Sequence, residues 1–270
     1  MGVTGPPGAG KSTLVDRLTT LAREEGRQVG VIAVDPTSPF SGGAVLGDRV
    51  RMGRHAGDEG VFIRSMATRG HLGGVARATG DVASILDAAG KDVIFIETVG
   101  VGQDEVEVAR TADVTIVAFV PGTGDEVQAL KAGIMEIADI FVVNKADREG
   151  ADHLAQAIGA NQGLQVFGPD DWRPPILKTV ATRGDGVAEV WASVTRYRAR
   201  PAAGAARRRA RHAHHLRDLL SSRFLVHLER TLPAGALDRL VDRIAAGDID
   251  PYSAAAELVE SYVGRVPRAE

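Results

Sequence analysis

Apolar positions recur at helical spacing from Lys11 to about Glu25, through Leu14, Leu18 and Leu21, and Gly26 stops the pattern. The spacing predicts an amphipathic helix. Val29 to Val34 is different: a continuous, largely β-branched run, the mark of a strand buried on both faces. The two textures then alternate. Strands are predicted over Val61–Arg64, Asp92–Glu97, Val114–Val120, Ile140–Val143 and Ile176–Ala181, and helices over Gly74–Ala89, Asp125–Ala138 and Val187–Arg200, with a further helix after Asp147. Such alternation implies an α/β domain. Its sheet is mostly parallel, covered by helices on both faces, with functional loops at the strands' carboxyl ends.

From Pro201 the strand signal ends. Ala202 to Ala206 reads as a small-residue linker, and Arg207 to His215 is a basic run leading into an apolar helix that ends near Leu232. Two more helical stretches follow, near Gly235–Ala246 and Pro251–Val263. The expected organisation is therefore an α/β domain over 1–200 and a helical tail over 201–270. At one end, only Met1 to Thr4 precede the first functional loop, whereas a feeding strand has about five or six residues. Native residues are accordingly expected ahead of Met1.

Within that frame the loops carry the chemistry. Gly5-Pro6-Pro7-Gly8-Ala9-Gly10-Lys11-Ser12-Thr13 fits G-x-x-x-x-G-K-S/T, a phosphate-cradling P-loop. Wrapping a phosphate requires several backbone N–H groups to point inward, at backbone angles glycine reaches cheaply. The following helix contributes its N-terminal dipole. Lys11 would reach the β- and γ-phosphates, and the Ser12 hydroxyl would hold Mg²⁺. Gly8, Ala9, Gly10 and Thr13 complete the expected cradle.

Asn144-Lys145-Ala146-Asp147 fits N-K-x-D at the end of a buried strand. The Asp147 carboxylate can accept from guanine N1–H and the exocyclic amine together, a pairing adenine cannot reproduce. Asn144 and Lys145 would brace the loop and cover the base, and Ala181, at the end of the last strand, joins the nucleotide-binding set. GTP is the implied nucleotide. Glu97-Thr98-Val99-Gly100 stands where GTPases usually have D-x-x-G: Glu97 can hold Mg²⁺ through water, and Gly100 can turn its N–H toward the γ-phosphate. Gln103 is a candidate for positioning the attacking water. Asp35 and Asp48 lie on a long Pro/Gly-rich loop and can join the metal shell or orient water; the lesser reading of Asp48 is a helix N-cap. His71 is a proton shuttle or simply a polar loop residue.

Charge and composition narrow the partners. A net charge of -3 excludes a globally basic nucleic-acid binder, and the absence of cysteine excludes disulfides and thiolate metal sites. No apolar run approaches a membrane span and no leader pattern opens the chain, so a soluble, cytoplasmic protein is expected. His212, His214 and His215 do not have the spacing of a paired metal site, and the Arg207–His215 run reads as the polar start of a packing or dimer-forming helix in preference to a binding site for nucleic acid or acidic partners. Trp172 and Trp191 read as packing residues.

Taken together, G-P-P-G-A-G-K-S-T, V-D-P-T-S-P-F-S-G-G-A-V-L-G-D-R from Val34, R-G-H-L-G-G from Arg69, E-T-V-G-V-G-Q from Glu97, P-G-T-G-D-E-V-Q-A-L-K-A-G-I-M-E-I-A-D from Pro121, and N-K-A-D resemble the MeaB/ArgK family. These are GTPase chaperones of adenosylcobalamin-dependent methylmalonyl-CoA mutase. The resemblance is dense over residues 2 to 200 and looser in the tail. It implies a homodimer that binds the mutase, hydrolyses GTP slowly unless stimulated, gates delivery of adenosylcobalamin, and protects the mutase. It also implies that Lys11 and Ser12 bind phosphate and Mg²⁺, and that Asp35, Asp48 and Glu97 form the metal and catalytic acidic set. The segment from Gly122 through Asp125 to Lys131 would be a switch that relays the nucleotide state. Family members usually carry an N-terminal helical extension, which this chain lacks. Other readings are a nickel-delivering GTPase, opposed by the missing cysteine; a small-molecule kinase or transport ATPase, opposed by the guanine motif; and a nucleotide-gated scaffold with negligible hydrolysis.

Overall fold

The computed structural model describes residues 1–35, 53–55, 57–67, 74–98, 104–122, 132–168, 171–233 and 235–262. Seven strands form one sheet: β1 (Gly2–Thr4), β2 (Val29–Asp35), β3 (Val61–Ala67), β4 (Val93–Glu97), β5 (Thr115–Phe119), β6 (Ile140–Asn144) and β7 (Ile176–Thr179). Their order across the sheet is β3-β2-β4-β1-β5-β6-β7, and all neighbours are parallel. The expected parallel α/β fold is what the chain adopts.

The short β1 lies at the centre, between β4 and β5, with Val3 opposite Glu97 on one side and Ile116 on the other. Only a strand with apolar neighbours on both faces tolerates that place, and Val3, Phe95, Ile116 and Val142 are fully buried. Each such side chain contributes on the order of 1.5–3 kcal/mol of transfer free energy. Helix α1 (Lys11–Glu24) packs Leu14, Val15 and Leu18 onto the sheet, where they meet Val190, Trp191 and Val194 of α6 (Val187–Arg198) in the same cluster. A second cluster joins Val117, Phe119, Phe141 and Val143 to Leu154 and Ile158 of α5 (Ala151–Gln162). A third joins Ile32 and Ile96 to Leu86 of α2 (Gly74–Ala88) and Val108 of α3 (Asp104–Thr111). The described part of the helix before β6 is α4 (Ala132–Ile137).

Three sequence readings are corrected. β3 runs to Ala67 rather than stopping at Arg64, because its polar Arg64 and Ser65 sit at the sheet edge, where alternation replaces a continuous apolar run. Helix α3 was not predicted; its V-E-V spacing resembles a strand, yet Val108 seats it on the core. The Ala202–Ala206 stretch is not a linker. It is part of α7 (Pro201–Thr231), which opens with Pro201, a residue suited to a first helical position, and continues through strong helix formers. The indoles read as packing residues do pack, but each also donates a hydrogen bond, Trp172 to the Asp139 carbonyl at 2.7 Å and Trp191 to Glu25 at 2.6 Å. The Trp191 bond holds the Glu25 carboxyl below the usual carboxylate range, with Arg27 adding to it.

The chain divides into two compact units, Met1–His212 and Ala213–Glu270. In the second, α8 (Ala236–Ala245) and α9 (Pro251–Tyr262) are joined by Arg243 and Glu257 at 3.0 Å. Asp250 caps α9, accepting from the N–H groups of Tyr252 and Ser253 at 2.9 and 3.0 Å, and these bonds with the Ser253 hydroxyl lower its pKa.

Candidate functional site

The carboxyl ends of β1, β4, β6 and β7 converge on the P-loop. The loop enters through Gly5, whose φ is 132° and where an added Cβ would lie 2.0 Å from the Ala118 carbonyl oxygen. Backbone cannot move aside, so only glycine fits. The loop leaves through Gly10, at φ 83°, directly before α1. No side chain caps that helix start. Such an N-terminus, opened by glycines, presents its dipole and amides to an anion.

Lys11 and Ser12 are both buried. The Lys11 ammonium donates to the Gly5 and Pro6 carbonyls at 2.8 and 3.0 Å, which keeps its charge on the loop's own backbone. The Ser12 hydroxyl donates to Glu97 Oε1 at 2.6 Å. Glu97, the last residue of β4, is only 5% exposed. Two hard oxygen donors from separate elements are thus in contact, a donor set that suits Mg²⁺. Next to Glu97, the Thr98 hydroxyl donates to the Thr4 hydroxyl at 2.9 Å and ties the end of β4 to the end of β1.

On the other side, Asn144 and Lys145 grip the loop. Asn144 Nδ2 donates to the Ala9 carbonyl at 2.8 Å, while its Oδ1 accepts from the Thr179 hydroxyl at 3.0 Å and the Ala181 N–H at 3.1 Å. All three bonds are buried. Lys145 has φ 57°, left-handed for a non-glycine residue, and its ammonium donates to the Gly8 carbonyl at 2.8 Å. Strain of this kind persists where surrounding contacts over-determine it, most often at functional sites. Asp147 is half-exposed, with its carboxylate 3.9 Å from Arg183 Nη1. Arg183 in turn pairs with Asp185 at 2.8 Å, and that bond, more than the Asp147 charge, raises the guanidinium pKa.

The geometry therefore brings together Gly8, Ala9, Gly10, Lys11, Ser12, Glu97, Asn144, Lys145 and Ala181, and Thr13 follows in α1. Asp35 ends β2, opposite Ala67. Gly122 follows β5 with φ 82°. Asp48, His71, Gly100, Gln103, Asp125 and Lys131 lie outside the described residues.

Several site-adjacent residues were not read from the sequence. Thr179 fixes the Asn144 amide, and nothing in a strand-ending threonine announces that. Asp16, buried in α1, has Oδ2 3.3 Å from Arg54 Nε and Oδ1 3.2 Å from His55 Nε2, so the chain is pinned to α1 where it emerges from 36–52. The one available signal was an Asp-Arg pair interrupting an amphipathic helix.

Gly10→Ala tests how tightly this site is built. Its Cβ would stand 2.4 Å from Asn144 Nδ2. Displacing that amide breaks its bond to Ala9, and the left-handed backbone adds about 1–2 kcal/mol. We expect guanine-nucleotide affinity to fall at least about tenfold, in line with the loss of one buried hydrogen bond plus strain. Affinity unchanged in a fluorescence titration would show that the Asn144–Ala9 tie is dispensable.

Residues 1–231 match the family model described as Methylmalonyl Co-A mutase-associated GTPase MeaB. The chain belongs to the MeaB family. It is a GTPase, as relatives of that family are named. A Pyrococcus abyssi protein with a GTPase name is 50% identical over 98% of this chain and 83% of its own length. The Escherichia coli GTPase ArgK is 43% identical over 72% of this MeaB-family chain and 60% of its own. The mouse mitochondrial methylmalonic aciduria type A homolog is 34% identical over 98% of this chain and 66% of its own. Among solved structures, an LAO/AO transport system kinase superposes with a TM-score of 0.66 at 28% identity, covering 96% of this chain and 80% of that one. The nickel-bound HypB of Helicobacter pylori, at 16% identity and TM-score 0.51 over 72% of this chain and 84% of its own, shares the fold alone.

Proposed function

We propose that this GTPase assembles with an adenosylcobalamin-dependent methylmalonyl-CoA mutase and uses its nucleotide state to gate cofactor loading and to protect the mutase. The observation that carries the reading is the match to a mutase-associated family over residues 1–231, a span that includes every site segment. The 34% identity across 98% of the chain to a mouse protein named for methylmalonic aciduria supports the same client.

In this reading Lys11 and the N-terminus of α1 hold the β- and γ-phosphates of GTP, and Asn144, Lys145, Asp147 and Ala181 read guanine. Ser12 and Glu97, with Asp35 and Asp48, hold Mg²⁺, which when bound offsets the charge developing on the phosphate oxygens. Gln103 orients the attacking water, and the Gly100 N–H meets the γ-phosphate. Gly122, Asp125 and Lys131 form the segment through which the partner senses the nucleotide. Its hinge at Gly122 follows β5, adjacent to the P-loop strand β1, so a change at the phosphates acts on it at short range.

The protein acts as a cytoplasmic homodimer in this account, with no nucleic acid and no membrane partner. Among the described residues no helix is long and apolar enough to cross a membrane. Leu216, Leu220 and Phe224, spaced along one face of α7, are 57%, 59% and 40% exposed, an apolar row of the kind a second copy covers. Light scattering should then give a mass near twice 28.4 kDa.

The test of the assembly is gel filtration of this protein with the mutase of the same source, in GTP-analogue and GDP forms. Co-migration that depends on the nucleotide is expected. Separate migration in both forms would remove the mutase from the account.

A further inference from the structure

The loop after β7 closes on itself. Val180 donates to the Asp185 carbonyl at 3.0 Å, and the Arg183 and Gly184 N–H groups both return to the Val180 carbonyl at 2.9 and 3.0 Å. The carbonyls of Ala181 and Thr182 point elsewhere, and one side chain meets both. Arg17 Nε donates to the Ala181 carbonyl at 3.0 Å, and its Nη2 donates to that of Thr182. The two partners are 164 and 165 residues away in the chain.

We propose that Arg17 is a positioning residue for guanine recognition, a clamp that sets how long the nucleotide stays and how well the base is discriminated. The proposal rests on the reading that Asn144, Asp147 and Ala181 form the base pocket. Three ties close a ring around that pocket. Ala9 of the P-loop is bonded to Asn144, Asn144 is bonded to the Ala181 N–H, and Ala181 is bonded through its carbonyl to Arg17. Arg17 sits in α1, which grows directly out of the P-loop. The phosphate cradle and the base loop are thereby one unit, although the chain joins them only through the whole sheet.

The planar guanidinium explains the choice of residue. Its fork reaches two consecutive carbonyls at once, and it stays charged, so both bonds are charge-assisted. Ala181 is 2% exposed, so its peptide has little freedom once clamped on one side by Arg17 and on the other by Asn144. Neighbouring Asp16 meets Arg54 through its carboxylate at 3.3 Å and His55 Nε2 through its carbonyl at 3.2 Å, so the same helical turn anchors the chain at a second place.

The experiment measures release of a fluorescent GDP analogue on dilution into excess unlabelled GDP, in the full chain. Arg17→Met keeps the aliphatic stem and removes both donors; Arg17→Gln restores one. Arg17→Met is expected to speed release about tenfold, the effect of losing a charge-assisted pair, with Arg17→Gln in between. The affinity ratio of GDP over IDP, which lacks the exocyclic amine, should narrow, while affinity for tripolyphosphate, which has no base, stays level. A merely structural role would weaken tripolyphosphate and GDP together. Unchanged release in Arg17→Met, or parallel loss of tripolyphosphate binding, overturns the clamp. Asp147→Asn is run beside it. If Asp147→Asn gains no xanthine preference, the pocket reading fails and the clamp falls with it; if it does and release in Arg17→Met is unchanged, the clamp alone fails.

Discussion

Lys11→Ala is expected to cut GTP affinity at least about a hundredfold, because a buried ammonium that meets phosphate contributes charge-assisted hydrogen bonds no neighbour can replace. Lys11 is 6% exposed and its Nζ already lies within 2.8 Å of the loop backbone, so no solvent-borne cation takes its place cheaply. Turnover should be lost with affinity, since in the proposed reading the same charge faces the phosphoryl group in the transition state. The fold should survive: Val3, Leu14 and Phe95 are fully buried without help from Lys11. Titration of a fluorescent GTP analogue checks the first point and circular dichroism the second. Undiminished affinity in a folded variant would remove the P-loop assignment.

Asp147→Asn is expected to change which base is bound. A carboxylate accepts from both guanine N1–H and the exocyclic amine; an amide offers a donor where the amine pointed, which matches the 2-oxo group of xanthine. Loss of two charge-assisted bonds should lower GTP affinity on the order of a hundredfold or more, while XTP gains. Asp147 is half-exposed and does not support the core, so stability should be little changed. Competition between GTP and XTP reads the switch. Guanine selectivity that survives would place the base reader elsewhere, and would point first to Arg183, 3.9 Å away.

The placement of these two residues was legible because their motifs are contiguous. G-x-x-x-x-G-K-S/T and N-K-x-D are each contained within a few positions, and the buried run Ile140–Val143 placed the second at a strand end. The parallel sheet was legible from its strand interiors: β2, β4, β5 and β6 each carry an apolar run next to a polar end residue, as strands covered on both faces do. What escaped depended on topology or on edges. Arg17 and Ala181 meet only because α1 and the loop after β7 flank the same P-loop, and no local pattern links residues so far apart. Thr179 and Asn144 are neighbours because β6 and β7 pair, in a register that sets them opposite each other. β3 was cut short and α3 missed because an edge strand and a one-sided helix both carry polar residues among β-branched ones. The alanine stretch after Pro201 was misjudged by composition: small residues without glycine favour a helix, and Gly204 alone does not break one.

The arrangement also suggests how hydrolysis could answer to a partner. Ser12 and Glu97 are fixed by buried contacts, and Asn144 and Lys145 hold the cradle from the opposite side. In the proposed reading the candidates for orienting water stand apart from this half: Asp35 is the last residue of β2, and Asp48 and Gln103 lie outside the described residues. In the proposed reading, a partner that fixed the water-orienting groups would raise turnover without remaking the nucleotide pocket.

GTP turnover by the purified protein, alone and with the adenosylcobalamin-dependent methylmalonyl-CoA mutase of the same source, tests the central claim most directly. The account predicts a rate with the mutase well above the sum of the two measured separately, lost in Lys11→Ala. A rate equal to that sum, with GTP bound and the two proteins shown to be in complex, would contradict it.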